Sequence, residues 1–212
     1  MFFAAPPTRE DSERRRPLGE RVSAAREPVR VLIVDDEVLL NHTLGMSFRS
    51  LGYDVVGAAR DGEEAFALVR AHFPDVITMD VRMPNCNGLE ATRRIMTEQP
   101  TCIIVLTAFS GYQQAAKDAG AMGYAVKPLF HAQISALVGS ARRRFARYME
   151  IRAAASSPEA ALHTWLAVQA AVESICQRDG RPEEESAAAL QRLAQADGIS
   201  LLEAALRVVG KN

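Results

Sequence analysis

From Val29 onward, short apolar runs alternate with helix-length amphipathic segments, and this alternation restricts the fold more than any other feature of the chain. The runs are Val31-Leu32-Ile33-Val34 and residues 54–59, 75–79, 102–106 and 123–126. Their brevity and their β-branched content read as buried strands. Between them, Leu40, Leu44, Phe48 and Leu51 fall on one helical face, with Gly52 as its cap. Further helices are expected over 63–73, entered through Asp61-Gly62, over 89–97 and near 112–119. A long helix follows Pro128 and places Ile134, Leu137, Val138, Ala141 and Phe145 on its inner face. Five strands alternating with five helices predict an α/β fold, a doubly wound five-stranded parallel sheet with right-handed crossovers.

The flanks differ from this body. Residues 1–28 carry Pro6, Pro7, Pro17 and Pro28 among alternating acids and arginines, and few large apolar residues, so a disordered N-terminal tail is expected. Its Arg14-Arg15-Arg16 run reads as a solvated stretch beside Glu13 and Glu20. Beyond about residue 150 the strand pattern stops. A helical linker over 148–160 leads to a small all-helical module over 161–212, with helices expected at 159–177, 183–196 and 200–209. Leu162, Trp165, Gln169 and Val172 form the stripe of the first of these helices.

A content of 48% hydrophobic and 24% charged residues suits a soluble protein with a proper core. The net charge of -1 argues against a generally polyanion-binding surface. Cys86, Cys102 and Cys176 show no paired spacing, which points away from a disulfide framework or a zinc site and towards a reducing compartment. Neither a signal segment nor an apolar run of membrane-spanning length is visible, so a cytoplasmic protein without a membrane partner is expected. His42, His72, His131 and His163 are scattered singly and receive no role.

The chemistry lies at the strand ends. The first strand ends in Asp35-Asp36-Glu37, the third in Asp80, the fourth in Thr107 and the fifth in Lys127-Pro128. A parallel sheet brings all of these to one edge, where α/β proteins keep their sites. Carboxylates in proximity repel, so three of them beside one lysine make poor structural sense alone. Around a magnesium ion, which takes hard oxygen ligands, they make good sense. A carboxylate held beside that metal is a candidate phosphoryl acceptor. Lysine and magnesium would neutralise the transferred group and Thr107 would donate a hydrogen bond to it. Each motif taken singly has a plainer reading, a helix cap for Asp35-Asp36-Glu37 and a helix start for Lys127-Pro128.

VLIVDDE, MDVRMPNCNG, VLTAF and GYAVKP together resemble a response-regulator receiver domain, over residues 29–147. The resemblance implies a flavodoxin-like fold in which Asp80 accepts phosphate from a sensor histidine kinase. It further implies that Asp35, Asp36, Asp80 and the Arg82 carbonyl serve magnesium, and that Lys127 binds the phosphoryl oxygens. Thr107 and Tyr124 would form the switch, and Pro128 would follow a cis peptide bond. Such a domain is no enzyme in the ordinary sense; it promotes only its own phosphorylation and dephosphorylation.

Residues 171–209 resemble the ANTAR module, an RNA-binding domain of transcription antiterminators, through the spacing of Gly180, Ser186, Leu190, Ala194, Leu201 and Ala205. That implies an RNA hairpin as partner. The family's Ala-Lys-Gly motif, however, reads Ala171-Val172-Glu173 here. Residues 151–212 hold six basic and eight acidic side chains, net -2, a poor platform for phosphates. Three outputs therefore stand side by side: an RNA-binding antiterminator, a helix-turn-helix DNA binder built on LAQADGISLLEAAL, and a degenerate module that binds protein. A homodimer is also expected, because the helix after Pro128 continues its apolar pattern through Tyr148 and Ile151, which a second copy would cover.

Overall fold

The computed structural model describes residues 28–210. The expected disordered tail, Pro28 apart, and its arginine run lie outside the described residues. The elements in chain order are β1 (Arg30–Val34), α1 (Val38–Ser50), β2 (Asp54–Ala59), α2 (Gly62–His72), β3 (Val76–Met79), α3 (Gly88–Glu98) and β4 (Cys102–Thr107). A 3-10 turn (Ser110–Tyr112) precedes α4 (Gln113–Asp118) and β5 (Gly123–Val126). Four helices complete the chain: α5 (His131–Ala154), α6 (Pro158–Asp179), α7 (Glu183–Asp197) and α8 (Leu201–Val209).

The five strands form one sheet in the order β2-β1-β3-β4-β5, and every neighbouring pair is parallel. This is the doubly wound α/β architecture, with a helical C-terminal region after it. Strands covered by helices on both faces have no solvent side, which is why their sequences run apolar without alternation. Val31, Leu32, Ile77, Ile103 and Val105 are wholly buried. Each such side chain contributes about 1.5–3 kcal/mol through burial. The register sets Val34 against Met79, Met79 against Val105, and Thr107 against Val126. The residues that follow these strand ends thus emerge along one edge.

Local chemistry decides the helix ends. Asp61 caps α2 by accepting from the Glu64 amide, and Asn87 caps α3 by accepting from the Leu89 and Glu90 amides. Helix α2 stops one residue before the expected end, because Phe73 adopts the left-handed conformation, φ 47°, and closes it as a cap. The stretch expected as one helix near 112–119 is instead a 3-10 turn running into the six residues of α4.

The chain separates into two compact units between Ala146 and Arg147. In the second, α6 starts with Pro158 in its first turn and Ser157 as its cap, runs 22 residues and ends at Gly180, whose φ of 65° suits a residue without a side chain. Its inner face is Ala161, Trp165, Val168, Ala171, Val172 and Ile175. Leu162 and Gln169, expected in that stripe, are only half-buried, since the buried face steps through 161, 165, 168, 172 and 175 at spacings of four and three and so takes Val168. Leu190, Ala194, Ala205 and Val208 of α7 and α8 complete this core.

One expectation loses its basis here. Tyr148 is only 1% exposed, with its ring edge-on to Trp165 at 6.0 Å, and Ile151 packs against the core of α6, α7 and α8. The chain's own second unit therefore covers the apolar continuation of α5, and that pattern gives no reason for a second copy. Among the described residues, no helix is long and apolar enough to cross a membrane.

Candidate functional site: an acidic pocket at the sheet edge

Asp35 follows β1 and Asp80 follows β3, and because Val34 and Met79 are register partners the two carboxylates leave adjacent strands side by side. Main-chain bonds extend the sheet by one rung to hold them: the Asp35 amide donates to the Ala59 carbonyl at 3.0 Å, and the Asp80 amide to the Val34 carbonyl at 2.8 Å. Asp35 is 3% exposed and Asp80 7%, while Asp36 faces solvent. Carboxylate oxygens of Asp35, Asp36 and Asp80 all lie within 4.8 Å of one another.

Lys127 reaches into this cluster from the end of β5. Its ammonium donates to Asp35 Oδ2 and lies 3.1 Å from Asp80 Oδ1. The Lys127 amide donates to the Thr107 carbonyl at 2.8 Å, so β4 aims the lysine stem. Asp80 Oδ2 accepts from the Arg82 amide at 3.2 Å. The Lys127–Pro128 peptide bond is cis.

Burial and charge pull against each other in this pocket. Burial pushes the Asp80 carboxyl above its ordinary range; the nearby Lys127 ammonium opposes this, and Asp35 adds to it. Burial alone would lower Lys127, but the hydrogen bond to Asp35 and the charges of Asp80 and Asp35 outweigh it and raise the ammonium. Three carboxylates and one ammonium leave two negative charges in a mostly buried space. Hard oxygen donors with that residual charge suit a divalent cation of the magnesium or calcium type.

Thr107 closes β4, 1% exposed, and its hydroxyl accepts from the Phe109 amide at 3.4 Å. Tyr124 is half-buried against Val81, Val105 and Ala116, and its hydroxyl donates to the Phe109 carbonyl at 2.6 Å. The Arg82 guanidinium lies 3.3 Å from the centre of the Phe109 ring. The structure thus joins Asp35, Asp36, Asp80 and Lys127 in direct contact or near it, and ties Thr107, Tyr124 and Arg82 together through Phe109.

Three residues at this edge escaped the sequence reading of the site. Phe109 is a lone aromatic after a strand and gives no signal by itself. Gly88, legible only as a helix opening, lets α3 approach so closely that a Cβ there would sit 1.7 Å from the Asp80 carbonyl oxygen. Asn41 lies on the buried face of α1 and donates to the Asp35 carbonyl at 2.6 Å. The face expected from the spacing ran through Leu40, which is only partly buried, so the spacing did not mark Asn41.

Three arginines in the C-terminal helices have partners within the chain. Arg144 donates to the Met122 carbonyl at 3.1 Å, and Arg147 pairs with Glu183. In the second unit Val172 is wholly packed inside, Arg207 pairs with Asp197 at 3.1 Å, and Glu203 closes a capping box with Ser200.

Comparison with known proteins agrees with this geometry. The chain is 43% identical over 131 residues to the transcriptional regulatory protein PdtaR of Mycobacterium tuberculosis, covering 61% of this chain and 62% of that one. It is 43% identical over 104 residues to a protein-glutamate methylesterase/protein-glutamine glutaminase of Haloarcula marismortui, covering 47% of this chain but only 28% of that one. That similarity is confined to the receiver part. Among solved structures, the signal receiver domain of the response regulator NarL from M. tuberculosis is similar at 31% identity and a TM-score of 0.52, over 55% of this chain and 98% of that one. The CheX–CheY–BeF3–Mg complex from Borrelia burgdorferi is similar at 33% identity and a TM-score of 0.51, over 53% of this chain and 88% of that one. Residues 31–139 match the response regulator receiver domain, and the chain belongs to that family.

Proposed function

We propose that the protein is a response regulator phosphorylated on Asp80 by a sensor histidine kinase, which controls gene expression through an RNA-binding, ANTAR-like output module. The observation that carries the first half is the Lys127 ammonium bridging Asp35 and the buried Asp80. An Asp80 carboxylate oxygen bonds to phosphorus as the phosphorus–nitrogen bond of the kinase phosphohistidine breaks, and the departing imidazole takes up a proton. Lys127 is placed to neutralise the phosphoryl oxygens, and the Thr107 hydroxyl to donate to one of them. Asp35, Asp36 and Asp80 with the Arg82 carbonyl would hold magnesium, which when bound supplies charge neutralisation at the same oxygens. Tyr124 and Thr107, both tied to Phe109, form the switch that reads the new charge.

In this reading residues 29–147 are the receiver, 148–160 a helical linker and 161–212 the output. Support for a gene-regulatory output comes from the similarity to a transcriptional regulatory protein. Incubation with acetyl phosphate and magnesium should add one phosphate by intact mass, and Asp80→Asn should abolish it. Undiminished labelling of that variant would overturn the assignment. For the output, binding to a pool of hairpin RNAs is measured across a salt series. Affinity that falls steeply with salt is expected of phosphate recognition.

Specific observations favour a protein-binding output as the second reading. Arg144, Arg147 and Arg207 are engaged within the chain, and Val172 is buried where the family's motif carries lysine. The second unit also opens an apolar groove of about 440 Å³ among Ile151, Val168, Leu190 and Leu201. No RNA binding even at low salt would select it. The helix-turn-helix reading is disfavoured, since Glu203 and Arg207, the polar side chains that α8 would offer as its recognition helix, are both engaged within the chain.

A further inference from the structure

Helix α1 buries Asn41, Leu44, Gly45 and Phe48, which share one face at spacings of three, four and seven residues. At the first of these positions packing alone would select an aliphatic side chain. Asparagine is a poor helix former, and at 9% exposure it brings an amide into the core. Its Nδ2 donates to the Asp35 carbonyl at 2.6 Å, yet its Oδ1 is buried without a hydrogen-bond partner among the described residues. Turning the amide round would not help, because Oδ1 would then face the Asp35 carbonyl, acceptor against acceptor. The residue therefore departs from packing, helix propensity and polar satisfaction together. Departures of this kind concentrate at functional sites.

Its single bond falls on the main chain of Asp35, the residue whose side chain meets Lys127 and whose neighbour is Asp36. The remaining restraints on this loop are few. Glu37, the α1 cap residue, makes no side-chain cap bond, and the first turn of α1 carries no acid. The Glu37 amide donates to Asp35 Oδ1 at 3.0 Å, and the Asp35 amide joins β2.

We infer that Asn41 is a positioning residue for the cation site: its amide fixes the Asp35 carbonyl and so holds Asp35 and Asp36 in register with Asp80, at a cost to the stability of α1. This rests on the acidic pocket binding a divalent cation. Residues behind metal ligands commonly change affinity by about 10–100-fold when removed, without touching the metal.

The test uses the full chain and magnesium chloride alone. Isothermal titration gives the magnesium dissociation constant, and urea unfolding in the absence of magnesium gives stability, for wild type, Asn41→Leu and Asn41→Ala. Leucine restores an apolar side chain of similar size, while alanine removes bulk, so the two differ in packing but both lack the donor. Expected is a magnesium dissociation constant raised about tenfold in both, with Asn41→Leu at least as resistant to urea as wild type. A purely structural role predicts the reverse: Asn41→Leu loses stability and the folded variants keep wild-type affinity. Magnesium affinity within a factor of about two of wild type in the folded variants would overturn the inference, the factor being well below that tenfold effect. If Asn41→Leu fails to fold, Asn41→Ala decides the affinity. Wild type that binds no magnesium would overturn the acidic-site reading itself, a different and separately visible outcome.

Discussion

The Lys127 ammonium lies 3.1 Å from Asp80 Oδ1 while donating to Asp35 Oδ2, so one cation spans carboxylates delivered by two neighbouring strands. All three side chains are nearly inaccessible, at 11% for Lys127, 4% for Asp35 and 9% for Asp80. Removing the ammonium leaves two buried carboxylates facing each other without compensation. Lys127→Met should therefore cost about 3 kcal/mol of stability at neutral pH, the scale of breaking a buried pair from one side. Urea unfolding checks this, and added magnesium should return part of the loss by supplying positive charge to the same oxygens. A variant as stable as wild type would show that the bridge contributes no net stability.

Asp80 itself should behave in the opposite way. Its carboxyl is held above the ordinary range, chiefly by burial, so the folded state resists its ionisation more than the unfolded chain does. An acid raised on folding contributes stability that is complete below its unfolded pKa and lost as pH rises through its folded pKa. At neutral pH the wild type has lost that contribution. Asp80→Asn, which cannot ionise, should be more resistant to urea than wild type at neutral pH. The difference should shrink as pH falls below the ordinary carboxylate range. A difference that grows on acidification would contradict the direction of the shift.

The legible part of the structure was the part repeated along the chain. Buried parallel strands need apolar residues on both faces, so Val31 to Val34 and Cys102 to Leu106 declared themselves, and the residues just past them fell on one edge by topology alone. Asn41 and Phe109 did not, because each acts through a main-chain carbonyl or a ring face that no spacing encodes. The fate of Tyr148 was hidden for a related reason. Periodicity shows that a face is apolar and leaves open which surface covers it, and here that surface is Trp165, 17 positions along the same chain.

Gly88 offers a steric test of the Asp80 loop. Its amide donates to the Val81 carbonyl at 3.0 Å, and a Cβ at its position would lie 1.7 Å from the Asp80 carbonyl oxygen. That neighbour is main chain, flanked by the rung to Val34, and has little freedom to withdraw. Gly88→Ala should cost about 1–3 kcal/mol, as overpacking does, and should slow labelling by acetyl phosphate in the protein that remains folded. Wild-type labelling and stability together would mean that the loop yields more readily than this contact allows.

The second unit rests on Trp165, 2% exposed, against Tyr148, 1% exposed, with their rings at 75° and 6.0 Å. An edge-on aromatic pair adds to the burial of each ring. Tyr148 belongs to α5 and Trp165 to α6, so the contact folds the end of one helix onto the next. Truncation to alanine removes the ring that covers one edge of the indole and leaves a cavity beside it. Tyr148→Ala should therefore destabilise the second unit by about 3 kcal/mol. Trp165 is the single tryptophan, so its emission reports on this unit alone. It should shift to the red as water reaches the indole, and its urea transition should move to lower denaturant. Acetyl phosphate should still label Asp80, which lies in the other unit. Unchanged emission and an unchanged transition would show that Tyr148 does not anchor the helices, and the expectation that its face is covered by a second copy would regain its ground.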